Sequence, residues 1–332
     1  MEPKSLYNYL LISQITIILG FIADLIFGDP RWFPHPVKGI GHLIKKLEPF
    51  FRKKIKNERN AGILFAATII LIVFLITLLI IFVSITVNVW LFLLISAFII
   101  YSSISLKDLK LHVLKVYDDL KNNDIILARK DLSMIVGRDT ENLNKDEIIR
   151  ATIETIAENL VDGVLSVLFW AFIMGAPGAM LFKTTSTLDS MVGYKDEKYK
   201  YFGMVSAKID DYMNFIPARI SMIIIPLAAF IYRKDVRNCI KIIKRDRKKN
   251  PSPNSGIPES AFAGTLKIQL GGLNFYNKIP VYKEKIGEPL KKLEIDDIKI
   301  SINLTYISSF LFLIFFICIF CLIYYLLYTI YF

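Results

Sequence analysis

The run from Ala61 to about Ser105 contains no charged residue, and it limits the possible folds more than any other part of the sequence. A hydrocarbon core of about 30 Å takes roughly 20 helical residues, so this run is too long for one crossing. We therefore predict two membrane spans that are joined near Ser84–Asn88. Hydrophobic residues make up 54% of the chain, which is typical of membrane proteins and argues against an ordinary soluble enzyme.

Other apolar stretches extend this pattern along the chain. One of them is interrupted by Gly175-Ala-Pro-Gly178, which predicts a broken helix or a half-helix beside a water-filled cavity. The predicted fold class is all-α: a polytopic integral membrane helix bundle with cytoplasmic helical loops, in a single membrane domain over residues 1–332. The six predicted spans are residues 9–27, 61–83, 87–105, 164–182, 215–232 and 302–331.

The net charge of +11 gives the predicted orientation. Lys and Arg concentrate in three segments, and cytoplasmic loops of membrane proteins carry such an excess. We therefore place residues 28–60, 106–160 and 233–300 in the cytoplasm. Together with the six spans, this predicts a multi-pass protein of the cell membrane. No nucleic-acid-binding pattern accompanies the charge, so we expect contact with the lipid bilayer and not with nucleic acid.

Acids, amides and bases concentrate between Glu154 and Arg219, inside an otherwise apolar sequence. Ionisable side chains near a bilayer are costly, so such a cluster indicates a functional site. Glu154, Glu158 and Asp162 follow one another at intervals of four, which places them near one face of a helix. Carboxylate oxygens suit Mg²⁺, which proteins hold with one or two carboxylates plus substrate phosphates. The alternative is a solvated acidic helix face.

Four basic side chains are candidate anchors for a phosphate or carboxylate group, because Arg grips either one bidentately and Lys adds a point charge. They are Arg138, Lys183, Lys195 and Arg219. Asp210-Asp211 forms a second acidic pair. The sequence has no G-x-x-x-x-G-K-[ST] motif, so any nucleotide would have to bind to this set of acids and bases.

Two further segments carry polar residues in stiff or tightly turned backbone. Asp24 and Asp29 stand where the first span ends, and His35 lies between two prolines that restrict its backbone. The segment Asn254-Ser-Gly-Ile-Pro-Glu259 joins a turn to a stretch of small residues that permits close approach of a ligand. An ordinary polar contact and a packing loop are the alternatives.

Six polar motifs follow one another between residues 24 and 264. They are D-L-I-F-G-D-P with H-P-V (24–37), G-R-D-T (137–140), E-T-I-A-E-N-L-V-D-G (154–163), T-L-D-S-M-V-G-Y-K (187–195), D-D-Y-M-N-F-I-P-A-R (210–219) and S-P-N-S-G-I-P-E-S-A-F-A-G (252–264). Together these motifs closely resemble the cobalamin-biosynthesis family CobD/CbiB, the adenosylcobinamide-phosphate synthases, over roughly residues 20–275. Three residues depart from the family pattern: Ser186 stands where Asn is expected, Lys208 where Arg is expected, and Val167 where Pro is expected.

The resemblance implies an integral membrane enzyme that joins aminopropanol, or its O-phosphate, to a propionate carboxyl of adenosylcobyric acid. This amide-forming ligation depends on ATP and Mg²⁺, and the corrinoid is a substrate and not a cofactor. The active site is expected to open to the cytoplasm. A homo-oligomer or an association with other enzymes of corrinoid synthesis is also compatible with the resemblance.

The candidate site residues are then assigned as hypotheses in three groups. The catalytic group is Glu154, Glu158, Asp162, Asp189, Asp210 and Asp211, among which Glu154, Glu158 and Asp210 are the predicted Mg²⁺ ligands. The group that holds ATP phosphates or the substrate carboxylate is Arg138, Lys183, Lys195 and Arg219. The substrate-binding group is Asp24, Asp29, His35, Asn159, Asn214, Asn254 and Glu259.

Two other functional classes fit part of the pattern. A transporter or channel for an anionic or metal-bearing solute would also contain intramembrane charges and a broken helix. Motif residues in large cytoplasmic loops favour the enzyme, because a minimal transporter keeps its polar groups in the spans. A sensor or scaffold would have no use for such dense polar clusters.

Overall fold

Helices dominate the structure, a computed structural model that describes residues 3–29, 35–194 and 196–331. The helices are α1 (Pro3–Phe27), α2 (Pro36–Lys54), α3 (Glu58–Val87), α4 (Val89–Tyr101), α5 (Leu106–Lys121), α6 (Ile125–Ser133), α7 (Lys145–Leu160), α8 (Ser166–Val192), α9 (Met204–Ile231), α10 (Val236–Asp246), α11 (Gly256–Leu266) and α12 (Asp296–Tyr331). A π-helical turn (Val161–Leu165) joins α7 to α8, and two strands, β1 (Gln269–Tyr276) and β2 (Ile279–Gly287), lie between α11 and α12. The predicted all-α class is confirmed, with this strand pair as an addition.

Within the described residues, five helical segments are long and apolar enough to cross a membrane, judged by length and composition. A further apolar helix, Leu11–Phe27, is shorter. The chain is therefore a polytopic membrane bundle, as the apolar runs predicted. The five segments are Glu58–Val87, Val89–Lys121, Lys145–Val192, Met204–Ile231 and Asp296–Leu326.

A single residue, Asn88, divides the long uncharged run into two helices. Its backbone N–H donates to Ser84 O at the end of α3, and its side chain accepts from Leu91 N at 2.8 Å at the start of α4. Asparagine is a favoured N-cap because its short side-chain oxygen satisfies an unpaired N–H of the first turn. The break lies within the segment that the sequence predicted.

Helix α8 is interrupted at Gly175, inside the Gly-Ala-Pro-Gly segment. The backbone of Gly175 has φ 66° and ψ −151°, a region that essentially only glycine occupies. Pro177 follows in the same helix and cannot donate a backbone hydrogen bond. The sequence thus predicted the position of this break correctly.

The chain folds as two compact units, each assembled from separate stretches of sequence. The first unit contains Met1–Ser105, Ser166–Met213 and Leu313–Phe332, and the second contains Leu106–Leu165 and Asn214–Phe312. In the first unit, α1 packs on α4, and α2, α3 and α4 pack on α8. In the second, α5, α6 and α7 pack together, and α10 packs on α11.

Helix α7 begins at a capping box. The side chain of Asn144 accepts from Glu147 N at 3.0 Å, and the carboxylate of Glu147 accepts from Asn144 N at 2.8 Å. This reciprocal pair satisfies two donors that the first helical turn leaves unpaired. The position of the acids of α7 is therefore set by strong local signals.

The strands β1 and β2 form an antiparallel hairpin that the sequence analysis did not predict. Its turn residues, Asn277 and Lys278, both have positive φ (50° and 65°), as the tight turns of two-residue hairpins require. The carboxylate of Asp139 accepts from both of their backbone N–H groups, at 3.2 and 2.6 Å. The G-R-D-T motif therefore holds the tip of the hairpin.

A β-bulge interrupts the hairpin near its open end. Leu270 pairs with Ile286 but Gly272 pairs with Lys283, so β2 carries an extra residue opposite Gly271. Gly271 has φ 82°, and a Cβ there would lie 2.3 Å from the carbonyl oxygen of Glu284. Bulges bend a strand and redirect its side chains, and this one lies directly beside Lys283.

Candidate active site

Three charged side chains form a stripe along α7 of the second unit: Arg150, Glu154 and Glu158. They follow one another at intervals of four, so each is turned only about 40° from the last. Helix α7 packs against β1 and α11, and the side chains of the stripe have partners on these elements and on β2. The stripe is therefore the centre of a polar cluster within the second unit.

Glu154 forms a buried ion pair with Arg138. The guanidinium of Arg138 donates to Glu154 Oε2 and, at 2.6 Å, to Asn274 Oδ1 on β1. The other carboxylate oxygen of Glu154 accepts from Gly271 N at 2.8 Å. Glu154 and Arg138 are 1% and 8% exposed, so the pair is shielded from water. Burial alone lowers the pKa of Arg138, but the attraction of Glu154 outweighs it and leaves that pKa raised.

Arg150 fixes the same strand from the preceding turn of α7. Its guanidinium donates to the carbonyl oxygens of Gly271 and Leu273, the latter at 3.0 Å. Arg138, Arg150 and Glu154 thus bind the backbone and side chains of β1 from one helix and one loop. Two N–H donors of Arg138 are used within the protein, and its predicted contact with a phosphate or carboxylate group stays a prediction.

Glu158 is partly exposed at the C-terminal end of the stripe. Its Oε1 lies 4.0 Å from the Nζ atom of Lys283 on β2, and the side chains are 33% and 19% exposed. Burial lowers the pKa of Lys283, but Glu158 and Glu259 outweigh this and raise it. Lys283 was not among the predicted residues.

Glu259 on α11 completes the cluster. It is only 3% exposed, and its Oε2 accepts from Asn250 Nδ2 at 2.8 Å. Its Oε1 accepts no hydrogen bond from the described residues while Glu158 is ionised, but the two carboxyl groups are close enough to share a proton. Burial raises the pKa of Glu259 well above its ordinary value, and the neighbouring charges of Glu158 and Glu154 raise it further.

Two other predicted residues of the second unit, Arg219 and Asn254, contact each other. The guanidinium of Arg219 donates to Asn254 Oδ1 at 2.6 Å and stacks over the ring of Phe215, 3.6 Å from its centroid. Asn254 is buried, and so is Asn214. Sequence motifs that are far apart along the chain therefore meet at this point.

The remaining predicted residues of α7 and its extension are Asn159 and Asp162. Asn159 donates its side-chain amide to Thr155 O at 3.0 Å, which is a contact within the helix. Asp162 lies in the π-helical turn, half-buried. Such turns are rare and frequently accompany functional sites.

In the first unit, the structure brings Asp29 and His35 together. Asp29 Oδ1 and His35 Nε2 are 3.3 Å apart, and His35 Nδ1 accepts from Val37 N at 3.3 Å as the N-cap of α2. Asp24 is completely buried in α1. The expected contact of His35 with a substrate stays a prediction, since its ring has a structural role in this helix cap.

The acids of α8 and α9 form a second group in the first unit. Asp189 on α8 lies close enough to Asp211 on α9 for their charges to interact, and both are half-buried. Asp210 and Lys183 are half-buried in the same helices. Lys195 lies outside the described residues.

The predicted catalytic acids therefore divide between the two units. Glu154, Glu158 and Asp162 belong to the second, and Asp189, Asp210 and Asp211 to the first. Their assembly into one site stays a prediction. Within the ranges that the structure describes, no three His, Cys, Asp or Glu side chains are grouped so as to hold a metal ion.

A cavity of about 1090 Å³ opens beside the buried ion pair. Its walls come from α6, the loop before α7 and the hairpin, and Arg138 lies in the wall between the cavity and Glu154. Leu273 and Phe275 of β1 are partly exposed and line it. A volume of this order accommodates a large organic ligand.

The family model described as CobD/Cbib protein matches residues 17–305. The chain belongs to this family. The CobD/Cbib resemblance that the motifs predicted is thereby confirmed over most of the sequence.

Relatives match along nearly their whole length. The protein named cobalamin biosynthesis protein CobD from Clostridium perfringens is 48% identical over 299 residues, covering 90% of this chain and 95% of that protein. The protein of the same name from Leptospira interrogans is 44% identical over 311 residues, covering 94% and 99%. That from Listeria monocytogenes is 42% identical over 293 residues, covering 87% and 93%. No solved structure gives a significant match.

Proposed function

We propose that this CobD/Cbib protein is a membrane enzyme of cobalamin biosynthesis that joins aminopropanol, or its O-phosphate, to a propionate carboxyl of adenosylcobyric acid. Membership of the family over residues 17–305 is the observation that carries the proposal. The buried charged cluster around Glu154, Glu158 and Glu259 supports it, because ionisable groups are kept out of water mainly where they serve a function.

Amide formation from a carboxylate requires an activated acyl group, since a carboxylate resists attack by an amine. ATP supplies this activation by forming an acyl phosphate, and Mg²⁺ neutralises charge on the phosphates. Mg²⁺ is usually held by one or two carboxylates together with phosphate oxygens. Glu154, Glu158 and Asp210 were the predicted ligands, but Arg138 already binds Glu154 and Lys283 lies beside Glu158. We therefore assign the metal to the neighbouring carboxylates of Asp189 and Asp211, and keep Asp210, adjacent in the sequence to Asp211, as the third candidate ligand.

The second unit would receive the reacting groups of the organic substrates. Arg138 and Glu154 keep the hairpin on α7, and Glu158 is the carboxylate of the stripe that a substrate reaches from solvent. The site is proposed to open to the cytoplasm, since basic loops of membrane proteins face that side.

The test uses the full chain in detergent with adenosylcobyric acid, Mg-ATP and the amine. Mass spectrometry of the corrinoid should detect the mass gain of amide formation, with either aminopropanol or its phosphate as the preferred amine. Glu158→Gln and Asp210→Asn should abolish the gain in protein that still elutes as a folded species. Glu284→Gln makes the same change as the first variant at an exposed position on β2 and should keep full turnover. Near-normal turnover of Glu158→Gln would refute the site assignment.

A transporter remains the second candidate because α8 is broken at Gly175, as in helices that line solute pathways. Vesicles that contain the protein would distinguish the two functions. ATP-independent uptake of a charged solute, with no change in corrinoid mass, would favour the transporter.

A further inference from the structure

The cluster of Glu158, Glu259 and Lys283 has one cation for two carboxyl groups. Glu154 lies nearby, but its charge is already matched by Arg138 at direct contact. Lys283 lies 4.0 Å from Glu158 and is the cation that most strongly affects Glu259. A buried negative charge requires a partner, so the second carboxyl must carry a proton or receive another cation.

Glu259 is the carboxyl that lacks this partner. It is 3% exposed, Asn250 occupies its Oε2, and among the described residues its Oε1 has no donor unless it shares a proton with Glu158. A buried oxygen without a donor is costly and is usually satisfied by a proton or a ligand. The three side chains come from α7, α11 and β2, and Glu158 and Lys283 connect them to solvent because both are partly exposed.

We propose that Glu158 and Glu259 bind the ammonium group of the amine substrate and accept the two protons that its nitrogen loses when the amide forms, with Lys283 as the residue that positions Glu158. The inference rests on the proposed function and adds where the amine binds and which residues accept its protons. The ligand class is a short primary alkylammonium ion, whose three N–H donors suit two facing carboxylates.

The proton count of the reaction matches the two carboxylates. An ammonium nitrogen carries three protons and an amide nitrogen one, so two must leave. The first passes to Glu158 and frees the lone pair, which forms the C–N bond at the activated carbonyl carbon. The C–O bond to phosphate then breaks, and phosphate departs with that electron pair. The second proton passes to Glu259. Phosphate takes up one of the two protons and the other reaches water.

The state of Glu259 before the amine binds follows from its surroundings. Glu154 and Glu158 face it from α7, Lys283 from β2 and Asn250 from the segment before α11, while Tyr276 of β1 acts on Lys283. Burial and the two neighbouring acids raise the pKa of Glu259, so the group holds a proton until the pH passes that raised value. The ammonium ion competes with this proton. The affinity for the amine should therefore increase as the pH rises through the pKa of Glu259.

The experiment measures kcat and KM for each of the three substrates with the full chain in detergent, between about pH 5 and 9. Glu259→Gln should raise the KM for the amine by about tenfold or more, because a charge-assisted contact is lost, and should flatten its pH dependence. The KM values for ATP and the corrinoid should not change. Glu284→Gln is the matched control and should behave like the wild type at every pH.

Lys283 is tested as a positioning residue by two variants. Lys283→Met should lower kcat and shift the pH profile for the amine, and Lys283→Arg should restore most of both. If Glu259→Gln does not fold, the pH profiles of Glu259→Asp and Lys283→Met replace it as the measurement. Wild-type protein that forms no amide would overturn the proposed function. Wild-type protein that forms the amide, with an unchanged amine KM in Glu259→Gln, would overturn only this inference.

Discussion

Replacement of Arg138 by Met should release the hairpin from α7. The substitution keeps an unbranched side chain of similar length but removes every donor. Glu154 would then be a buried carboxylate with a single contact, the N–H of Gly271, and Asn274 would lose a donor at 2.6 Å. Glu154 is 1% exposed, and the Met side chain should still cover it on the side of the cavity, so water should replace the lost guanidinium poorly.

The expected cost follows from this loss of a single partner. Removal of one side of a buried ion pair destabilises a protein by about 3–5 kcal/mol, because the remaining charge is left uncompensated. Every 1.4 kcal/mol is a factor of ten in an equilibrium constant, so the open hairpin should become roughly 100-fold or more populated. The effect should be local, because the lost bonds attach β1 to α7 and to the loop before it.

Hydrogen exchange followed by mass spectrometry measures this local opening directly. Peptides that cover residues 269–287 should exchange about 100-fold faster in Arg138→Met than in the wild type, while peptides of α1 and α4 should not change. Arg237→Ala, an exposed arginine on α10, is the control for loss of a positive charge. The double variant Arg138→Met, Glu154→Leu removes both charges and should recover part of the protection. Unaltered exchange of the hairpin in Arg138→Met would refute its anchoring by the buried pair.

Two further substitutions test the backbone and the charge of other sites. Gly175→Ala should lower the midpoint of thermal unfolding in detergent, since its backbone conformation costs other residues about 1–3 kcal/mol. The control is Gly39→Ala, where the added methyl group meets nothing within 4 Å. Equal midpoints in the two variants would contradict the break in α8. Burial raises the pKa of Asp246, but bonds from Arg245 and Lys249 outweigh this and lower it to about 2. Its stabilisation is therefore fully present above the ordinary value of 3.8 and is lost as the pH falls towards 2. The difference in unfolding free energy between the wild type and Asp246→Asn should be constant at neutral pH and shrink across that window, and a difference independent of pH would oppose this role.

Most of the helical part of the fold could be predicted from residues that lie close together in the sequence. The capping box at Asn144, the N-cap at Asn88 and the break at Gly175 each depend on residues within a few positions of one another. Such features can be predicted because the residues that stabilise them lie within about one helical turn of one another. The spans likewise follow from apolar length alone.

The hairpin was missed because its local signal is weak. Asn277-Lys278 takes the positive φ values of a tight turn, but Lys lacks the freedom of the glycine that usually marks such turns. The turn is stabilised by Asp139, which lies far away along the chain. A partner so distant cannot be inferred from a single sequence, although the alternation of apolar and polar residues on both sides of the turn was visible.

The candidate site was predicted in its components and not in its arrangement. The spacing of Glu154 and Glu158 correctly placed both acids on one face of α7. It could not show that Glu154 binds Gly271, 117 positions away, or that Lys283 faces Glu158. Both contacts depend on the hairpin. Because the hairpin was not predicted, the residues that complete the cluster could not be predicted either.

The hairpin also predicts different tasks for two identical acids on one helix. Along α7, Arg150 and Glu154 are covered by β1, and both are bound to it. Glu158, one turn further, is a third exposed and lies beside Glu259 and Lys283, the latter at 4.0 Å. A carboxylate whose oxygens are both bonded in the interior can hold a strand but cannot exchange protons with a substrate, whereas a half-open carboxylate beside a lysine can. Substitutions of Glu154 should therefore act on folding and those of Glu158 on turnover, although the sequence gives the two residues the same chemistry and the same spacing.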